Sequence, residues 1–182
     1  CADDKRVLRM GEKTSAKIIT YGFAAAAEMR ADNLLFHPDA KRVEGLSFKL
    51  NYDGKTIPVR LPKIVATHHI GAVLAAAAVG VALKMNLVEI ARALETFEPL
   101  PGRLRLLPGK NATILLDDTY SASPASTVAA LGVVQELIAP RKVVILGDML
   151  ELGAGTGEAQ QALAASVIAS GASVALLVGQ HM

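Results

Sequence analysis

A short segment rich in proline and glycine divides the sequence into two parts with different patterns. Glu98-Pro99-Leu100-Pro101-Gly102-Arg103 brings two prolines and a glycine together, a composition that ends a helix and forms a stiff connector. A hairpin and two helices are predicted before this segment, whereas apolar strands alternate with helices after it. The sequence therefore predicts two domains, at residues 1–98 and 104–182, joined by a hinge at 99–103.

The second part has the pattern of a parallel α/β domain. Strands are predicted at 113–117, 143–146 and 174–178, and helices at 124–139 and 158–170. Continuous apolar strands that alternate with helices are typical of a parallel sheet with helices on both faces. We therefore expect a Rossmann-like parallel α/β domain from residue 104 onwards.

The first part predicts a mixed sheet with a hairpin and helices. A helix is expected at 3–12, a strand at 17–22, strands at 43–52 and 55–61, and helices at 68–83 and 87–97. Asp53-Gly54, between the two longer strands, is a strong hairpin signal because both turn positions favour positive φ. Pro58 has no amide donor, so its strand is expected at a sheet edge.

Composition excludes several classes of protein. The chain has 182 residues, of which 52% are hydrophobic and only 4% aromatic. We therefore expect an aliphatic, alanine-rich core that needs no disulfide or metal. The 19 basic and 17 acidic residues are interleaved, which argues against a nucleic-acid partner or a polybasic anchor. The single cysteine fits a reducing compartment, and we predict a cytoplasmic monomer.

One apolar stretch, residues 64–83, is long enough to cross a bilayer. It contains Thr67, His68 and His69, and neither basic residues nor an aromatic belt flank it. We interpret it as a buried helix of a soluble domain. The chain begins at Cys1, as a mature lipoprotein would, but a helix-like pattern follows at once, so we interpret it as a fragment cut at both ends.

Two glycine-containing segments resemble nucleotide-binding loops only superficially. Gly54-Lys55-Thr56 would need a glycine at position 49, which is Lys, and it lies in a predicted hairpin rather than before a helix. The segment at 153–157 does not directly follow its strand, and Glu158 occupies the position of the third glycine. We expect a turn and a flexible loop instead.

Acidic residues follow two of the predicted strands. Asp117 and Asp118 end the strand at 113–117, and Asp148 follows the next strand, where open α/β sheets bind ligands. Neighbouring residues of an extended chain point to opposite sides, so we expect one aspartate of the pair to be structural and the other to face a ligand. Such a carboxylate could bind ribose hydroxyls or hold water around Mg²⁺. Ser123-Pro124 fits a helix N-cap and first residue.

These motifs together resemble the Mur ligases over essentially the whole chain. The segments that carry the resemblance are Asp117-Asp118-Thr119-Tyr120-x-Ala122-x-Pro124, Pro101-Gly102-Arg103-Leu104, Leu146-Gly147-Asp148-Met149-Leu150-Glu151-Leu152-Gly153, Ala2-Asp3-Asp4, and His68 followed by Leu74-Ala75-Ala76-Ala77-Ala78. They occur in the family's order and with suitable spacing.

The resemblance implies an ATP-dependent amide ligase that activates a carboxylate as an acyl phosphate. The most similar branch joins D-alanyl-D-alanine to UDP-N-acetylmuramoyl-tripeptide in peptidoglycan synthesis. Residues 1–98 would form the end of the central ATPase domain, with ATP bound between it and the C-terminal domain. ATP and Mg²⁺ are the implied cofactors, and the partners are small-molecule substrates, with no nucleic acid and no membrane insertion.

The resemblance also implies individual roles for site residues. His68 would lie near adenine, Arg103 would contact nucleotide and Asp118 would hold ribose. The residues expected near the phosphates or the second substrate are Tyr120, Ser121, Ser123 and Asp148. The catalytic residues, the phosphate-binding loop and the Mg²⁺ ligands are expected upstream of this chain, so we expect the 182 residues alone to be inactive.

The sequence also departs from the family pattern, and other interpretations stay open. Ser121 and Ser123 replace asparagines, Ala72 replaces the asparagine expected at adenine, and Ala66 replaces a glycine. Folylpolyglutamate or cyanophycin ligases of the same superfamily, and a non-catalytic nucleotide- or partner-binding module, are the alternatives. His68 could be a structural histidine at a helix start. Structural roles without a ligand are also open for the other sites. Arg103 could form an interdomain salt bridge, and Asp117 and Asp118 could shape the turn and cap the helix.

Overall fold

The computed structural model describes residues 1–38, 43–149 and 156–180, with no side-chain description at 156–162. The chain divides into two compact units. The first comprises Cys1–His37 and Glu44–Phe97, and the second includes the described residues from Glu98 onwards. The division falls where the predicted connector begins; that the units are the domains expected from the sequence remains a proposal.

The first unit combines a four-stranded sheet with three α-helices. Its elements are α1 (Lys5–Met10), β1 (Tyr21–Gly22), β2 (Met29–Pro38), β3 (Val43–Tyr52), β4 (Lys55–Leu61), α2 (His69–Ala82) and α3 (Leu87–Glu95). The strand order is β1-β2-β3-β4, with β1 parallel to β2 and β3 antiparallel to β4. The predicted mixed sheet is therefore confirmed, but the strand expected at 17–22 is only two residues long.

Two features of this sheet show what the pattern could and could not predict. Asp53 and Gly54 have φ values of 51° and 70° in the hairpin turn, and the strand with Pro58 lies at the sheet edge, as predicted. Strand β2 was not expected from the sequence. Its polar residues break the apolar alternation, and Asn33 adopts a positive φ of 51° within it.

The core of the first unit is aliphatic, as the composition predicts. The side chains that are essentially inaccessible to solvent are Met29, Leu46, Leu50, Val59, Leu61, Ile64, Ile70 and Leu74. Helix α3 adds Ile90 and Leu94 to this cluster, and Asn86 begins the helix with a capping box to Glu89. Helix α2 has 14 residues, and among the described residues no helix is long and apolar enough to span a bilayer.

The second unit has the predicted alternation of strands and helices. Its elements are β5 (Arg105–Pro108), β6 (Ile114–Asp117), α4 (Pro124–Glu136), β7 (Val143–Gly147), α5 (Thr156–Ala169) and β8 (Val174–Val178). Strands β7 and β8 are parallel, joined through α5, which gives the α/β fold expected. Leu131, Val144, Met149 and Leu163 form its buried cluster.

Strand β6 differs from the expectation in its described pairing. It runs antiparallel to β5, with Arg105 opposite Asp117 and Pro108 opposite Ile114. Strand β5 was not expected from the sequence, because its four residues are too few for a periodic signal. This pairing places the connector beside the residues that follow β6.

Candidate functional site

The antiparallel pairing of β5 and β6 brings two sequence motifs together. Residues 102–104 precede β5 and residues 117–120 end and follow β6, so the register that places Arg105 opposite Asp117 also juxtaposes these two segments. We call residues 102–104 with 117–120 the clasp. The chain returns on itself here, and no long-range packing between the units is needed to bring the segments together.

Three hydrogen bonds hold the clasp. The Gly102 amide donates to Asp117 Oδ2 at 3.0 Å, and the Leu104 amide donates to Asp118 Oδ1 at 3.2 Å. In the opposite direction, the Tyr120 amide donates to the Gly102 carbonyl at 3.1 Å. Both aspartates therefore bind main-chain amides and have structural roles; that one of them also faces a ligand stays a prediction.

Gly102 is required by the geometry of the clasp. Its φ is 73°, a region that residues with a Cβ rarely adopt. A Cβ at this position would lie 2.7 Å from the Tyr120 amide nitrogen. The next residue but one, Leu104, is buried and also has a positive φ, so the backbone on both sides of Arg103 is fixed.

Arg103 and Tyr120 contact each other on the exposed side of the clasp. The Arg103 guanidinium carbon lies 4.1 Å from the centroid of the Tyr120 ring, which is a cation–π geometry. The Tyr120 residue is 71% exposed. Within the described part of the chain, no carboxylate forms an ion pair with Arg103. The guanidinium edge can therefore donate to an anion while its face rests on the ring.

Hydrogen bonds keep the Asp117 carboxylate ionised. The Thr119 hydroxyl donates to Asp117 Oδ1 at 2.7 Å and is the main reason why the Asp117 pKa is lowered; the amides of Gly102 and Thr119 and the charge of Arg105 lower that pKa further. Asp118 Oδ1 accepts the Leu104 amide at 3.2 Å, and a carboxylate oxygen can accept more than one hydrogen bond. This bond is compatible with the predicted contact to ribose.

The two predicted serine sites lie after the clasp. Ser123 is the N-cap of α4: its Oγ accepts from the Ser126 amide at 3.2 Å, and the Ser126 hydroxyl accepts from the Ser123 amide at 3.0 Å. This confirms the predicted cap and accounts for a serine at position 123 without a ligand. Ser121 is exposed in the connecting loop. Its contact with a substrate stays a prediction.

Asp148 ties the ends of β7 and β8 together. Its carboxylate accepts from the Gln180 amide at 2.8 Å, and its own amide donates to the Val178 carbonyl at 3.1 Å. Gly179 has a φ of 136°, and a Cβ there would collide with the Asp148 carboxylate. Asp148 thus has a structural role that its sequence position did not reveal, and ligand binding by it stays a prediction.

His68 lies in the first unit, just before α2. It is exposed, its side chain forms no capping hydrogen bond, and its ring lies 4.5 Å from that of His69. Burial, followed by the charge of His68, lowers the pKa of His69 to about 4. The Nδ1 atom of His69 is buried without a hydrogen-bond partner. Among the described residues, therefore, no capping hydrogen bond accounts for a histidine at this position.

The contacts between the residues of this site could not be predicted from the sequence alone. The pairing of Gly102 with Asp117, and of Arg103 with Tyr120, depends on the register of β5 against β6. The first segment of the clasp was identified only because Pro101-Gly102-Arg103-Leu104 resembles a motif of the Mur ligases. Among the described residues, no three His, Cys, Asp or Glu side chains come together as ligands for a metal ion.

Comparison with known proteins identifies relatives of both units. The family described as "Mur ligase, glutamate ligase domain" matches residues 102–182. UDP-N-acetylmuramoyl-tripeptide–D-alanyl-D-alanine ligase of Escherichia coli (strain K12) is 33% identical over 137 residues, which are 75% of this chain and 30% of that protein. UDP-N-acetylmuramoyl-L-alanyl-D-glutamate–2,6-diaminopimelate ligase of Geobacillus kaustophilus is 30% identical over 169 residues, 92% of this chain and 32% of that protein.

A solved structure extends the similarity to nearly the whole chain. The structure of MurF from Acinetobacter baumannii superposes with a TM-score of 0.82 at 27% identity, covering 97% of this chain and 36% of that protein. The chain thus spans about a third of the length of the proteins that it matches. The clasp begins at residue 102, where the family match also begins.

Proposed function

Because this chain belongs to the Mur ligase family, whose C-terminal domain it contains at residues 102–182, we propose that it is part of an ATP-dependent amide ligase of peptidoglycan precursor synthesis. The reaction would join D-alanyl-D-alanine to a UDP-N-acetylmuramoyl-tripeptide. The proposal concerns a protein about three times as long, since the chain covers 30% of the Escherichia coli relative. It includes a cytoplasmic location and small-molecule substrates.

The clasp is the observation that carries this proposal. It places Arg103, a cation with which no described carboxylate forms an ion pair, in the same short stretch of the fold as two acidic residues of the matched domain. Guanidinium groups donate in a fork that suits phosphate oxygens, and carboxylates accept from ribose hydroxyls. The two segments of the clasp thus provide complementary groups for the phosphates and the ribose of a nucleotide.

The residues of this chain would bind and orient the nucleotide rather than perform the chemistry. Arg103 would donate to phosphate oxygens and Asp118 would accept from ribose, while Asp117 keeps the two segments joined through Gly102. His68, exposed at the start of α2, would contact adenine. ATP, when bound with Mg²⁺ held by upstream residues, supplies the phosphoryl group that activates the carboxylate.

The identity of the amine substrate rests on the relatives. Support for D-alanyl-D-alanine comes from the Escherichia coli ligase at 33% identity and the MurF structure with a TM-score of 0.82. The diaminopimelate ligase of Geobacillus kaustophilus matches a larger share of the chain at 30% identity. Diaminopimelate is therefore the second candidate acceptor.

Steady-state kinetics of the full-length protein test the proposal. ATP-dependent phosphate release is measured with two substrate pairs. The first pair is UDP-N-acetylmuramoyl-tripeptide and D-alanyl-D-alanine, and the second is UDP-N-acetylmuramoyl-L-alanyl-D-glutamate and 2,6-diaminopimelate. We expect turnover only with the first pair. Turnover only with diaminopimelate would reassign the acceptor, and no ATP-dependent turnover with either would reject the function. The 182-residue chain alone is expected to show no turnover, because phosphoryl transfer depends on the phosphate-binding loop and metal ion.

A further inference from the structure

We propose that Tyr120 is a positioning residue, whose ring holds the Arg103 guanidinium in the orientation that binds the nucleotide phosphates. This inference rests on the proposed function and adds to it a role that differs from the substrate contact expected for Tyr120. It concerns contacts within the second unit alone. The ring and the guanidinium lie 4.1 Å apart, and each belongs to one of the two segments of the clasp.

The backbone of the clasp fixes where both side chains begin. The Tyr120 amide binds the Gly102 carbonyl, and the Gly102 amide binds Asp117. Because Gly102 has no Cβ, the two segments approach to a distance that any larger residue would prevent. Arg103 follows Gly102 directly, so its Cα is held beside Tyr120 before any ligand binds.

The side chain of Arg103 depends on the ring for its orientation. An arginine has a long side chain that loses much rotamer freedom when it binds an anion, and here no ion pair with a described residue restrains it. Contact of the guanidinium face with Tyr120 limits this freedom and leaves the donor edge exposed. A preorganised donor binds an anion more tightly than a mobile one.

A neighbouring arginine provides a matched comparison. Arg105 is two residues further along the chain and forms an ion pair with Glu98 at 3.3 Å. Its orientation is therefore set by a carboxylate, which also occupies its donor edge. Of these two neighbouring arginines, Arg105 is oriented by an acid and Arg103 by an aromatic ring, and Arg103 is suited to bind an anionic ligand.

A double-mutant cycle on the full-length protein tests the inference. The dissociation constant of ADP with Mg²⁺ is measured by calorimetry for wild type, Tyr120→Leu, Arg103→Ala and the double variant. We expect Tyr120→Leu to weaken ADP binding about two- to fivefold, the range of an exposed cation–π contact. In the Arg103→Ala background the same change should have no further effect. Tyr120→Phe should bind like wild type, because it keeps the ring.

The controls separate this inference from the proposed function and from misfolding. Arg105→Ala should leave ADP affinity unchanged, and thermal unfolding shows whether each variant is folded. Equal weakening by Tyr120→Leu with and without Arg103 would mean that Tyr120 contacts the nucleotide itself and would overturn the inference. Weakening by Tyr120→Phe, through loss of the hydroxyl, would overturn it as well. If wild type ligates but Tyr120→Leu binds ADP normally, the positioning role is rejected while the ligase function stands.

Discussion

The carboxyl ends of β6 and β7 use the same structural device but differ in the residues beside it. At β6, Asp117 accepts the Gly102 amide, and Gly102 has a φ of 73°. At β7, Asp148 accepts the Gln180 amide next to Gly179, whose φ is 136°. In both cases an aspartate after a strand holds a segment that passes close to it because a glycine is present.

Among the described residues, the two ends differ in that a cation without an ion-pair partner lies at the β6 end. Arg103 and Tyr120 lie beside the aspartates of β6, whereas Asp148 binds the main chain of the neighbouring strand. In the first unit, Asp3 lies before α1 and not after a strand, yet it also binds main chain, accepting from the amides of Phe23 and Ala24. An acid at a strand end therefore does not by itself indicate a ligand site. An exposed cation without an acidic partner is the more informative feature.

The largest expected effect is on enzymatic activity, where a substitution at the β6 end should matter far more than one at the β7 end. In the full-length protein, Arg103→Ala should lower kcat/KM for ATP about 10- to 100-fold, the loss of one or two charge-assisted hydrogen bonds. Asp148→Asn should lower it less than about threefold, because the asparagine oxygen can still accept the Gln180 amide. Initial rates at varied ATP concentration measure both. An equally large effect of Asp148→Asn would show that both strand ends bind nucleotide.

The next largest effect tests the glycine at the clasp. Gly102→Ala should destabilise the protein by about 2–3 kcal/mol, since strain at positive φ adds to a Cβ that meets the Tyr120 amide nitrogen. Gly54→Ala is the matched control: its φ is 70°, but a Cβ there meets nothing within 4 Å, so only about 1 kcal/mol is expected. Urea unfolding of both variants measures the difference. Equal losses would show that the close approach at the clasp contributes nothing.

A smaller effect concerns the pH dependence of stability, which should differ between Asp117 of the clasp and His69 of the first unit. The pKa of Asp117 is lowered, so its contribution is present above the unfolded-state value and is lost only as pH falls through the folded-state value. The pKa of His69 falls from 6.5 to about 4, so between these values the unfolded state binds the additional proton. Stability should therefore decrease as pH falls from 6.5 to 4, by about 1 kcal/mol for a half-exposed group.

Urea unfolding at pH 7 and pH 4.5 measures this loss in wild type and in His69→Gln. The variant should lose most of the pH dependence in that interval, whereas Thr119→Val, which removes the main donor to Asp117, should retain it. A pH dependence unchanged in His69→Gln would place the titrating group elsewhere. His68→Gln, which leaves His69 buried, is the control for the neighbouring ring.

The smallest expected effect tests Ser123, which the sequence assigned to the site and the structure places in a helix cap. Ser123→Ala should destabilise the protein by about 1 kcal/mol, whereas Ser123→Asp should be nearly as stable as wild type, because aspartate is an equally good N-cap. Thermal unfolding compares the two. Weaker ADP binding by Ser123→Ala with unchanged stability would instead support the predicted role near the phosphates.

Much of the fold could be predicted because it depends on local patterns. Asp53-Gly54 fixed the hairpin through its φ preferences, and Pro58 indicated an edge strand because it has no amide donor. Strand β2 was missed because charged residues and Asn33 interrupt its alternation. Strand β5 was missed because it is four residues long, so its pairing partner, β6, was expected in a purely parallel sheet.

The site was predictable only as a set of residue types. Arg103, Asp118 and Tyr120 were identified through motifs, and the structure brings all three into the clasp. Their arrangement depends on which strand lies next to β6, and no local pattern contains that information. Asp148 illustrates the limit, because the amide that it binds belongs to Gln180, 32 residues away.

The sequence by itself determined most of the strands and helices, the aliphatic core and the hairpin. These properties follow from neighbouring residues, whose φ preferences and apolar spacing act over a few positions. Only the tertiary structure decided which aspartates accept main-chain amides, and which arginine forms no ion pair with a described residue. Hydrogen bonds and ion pairs form between groups that lie within about 3–4 Å, and only the folded chain brings such groups together from distant positions.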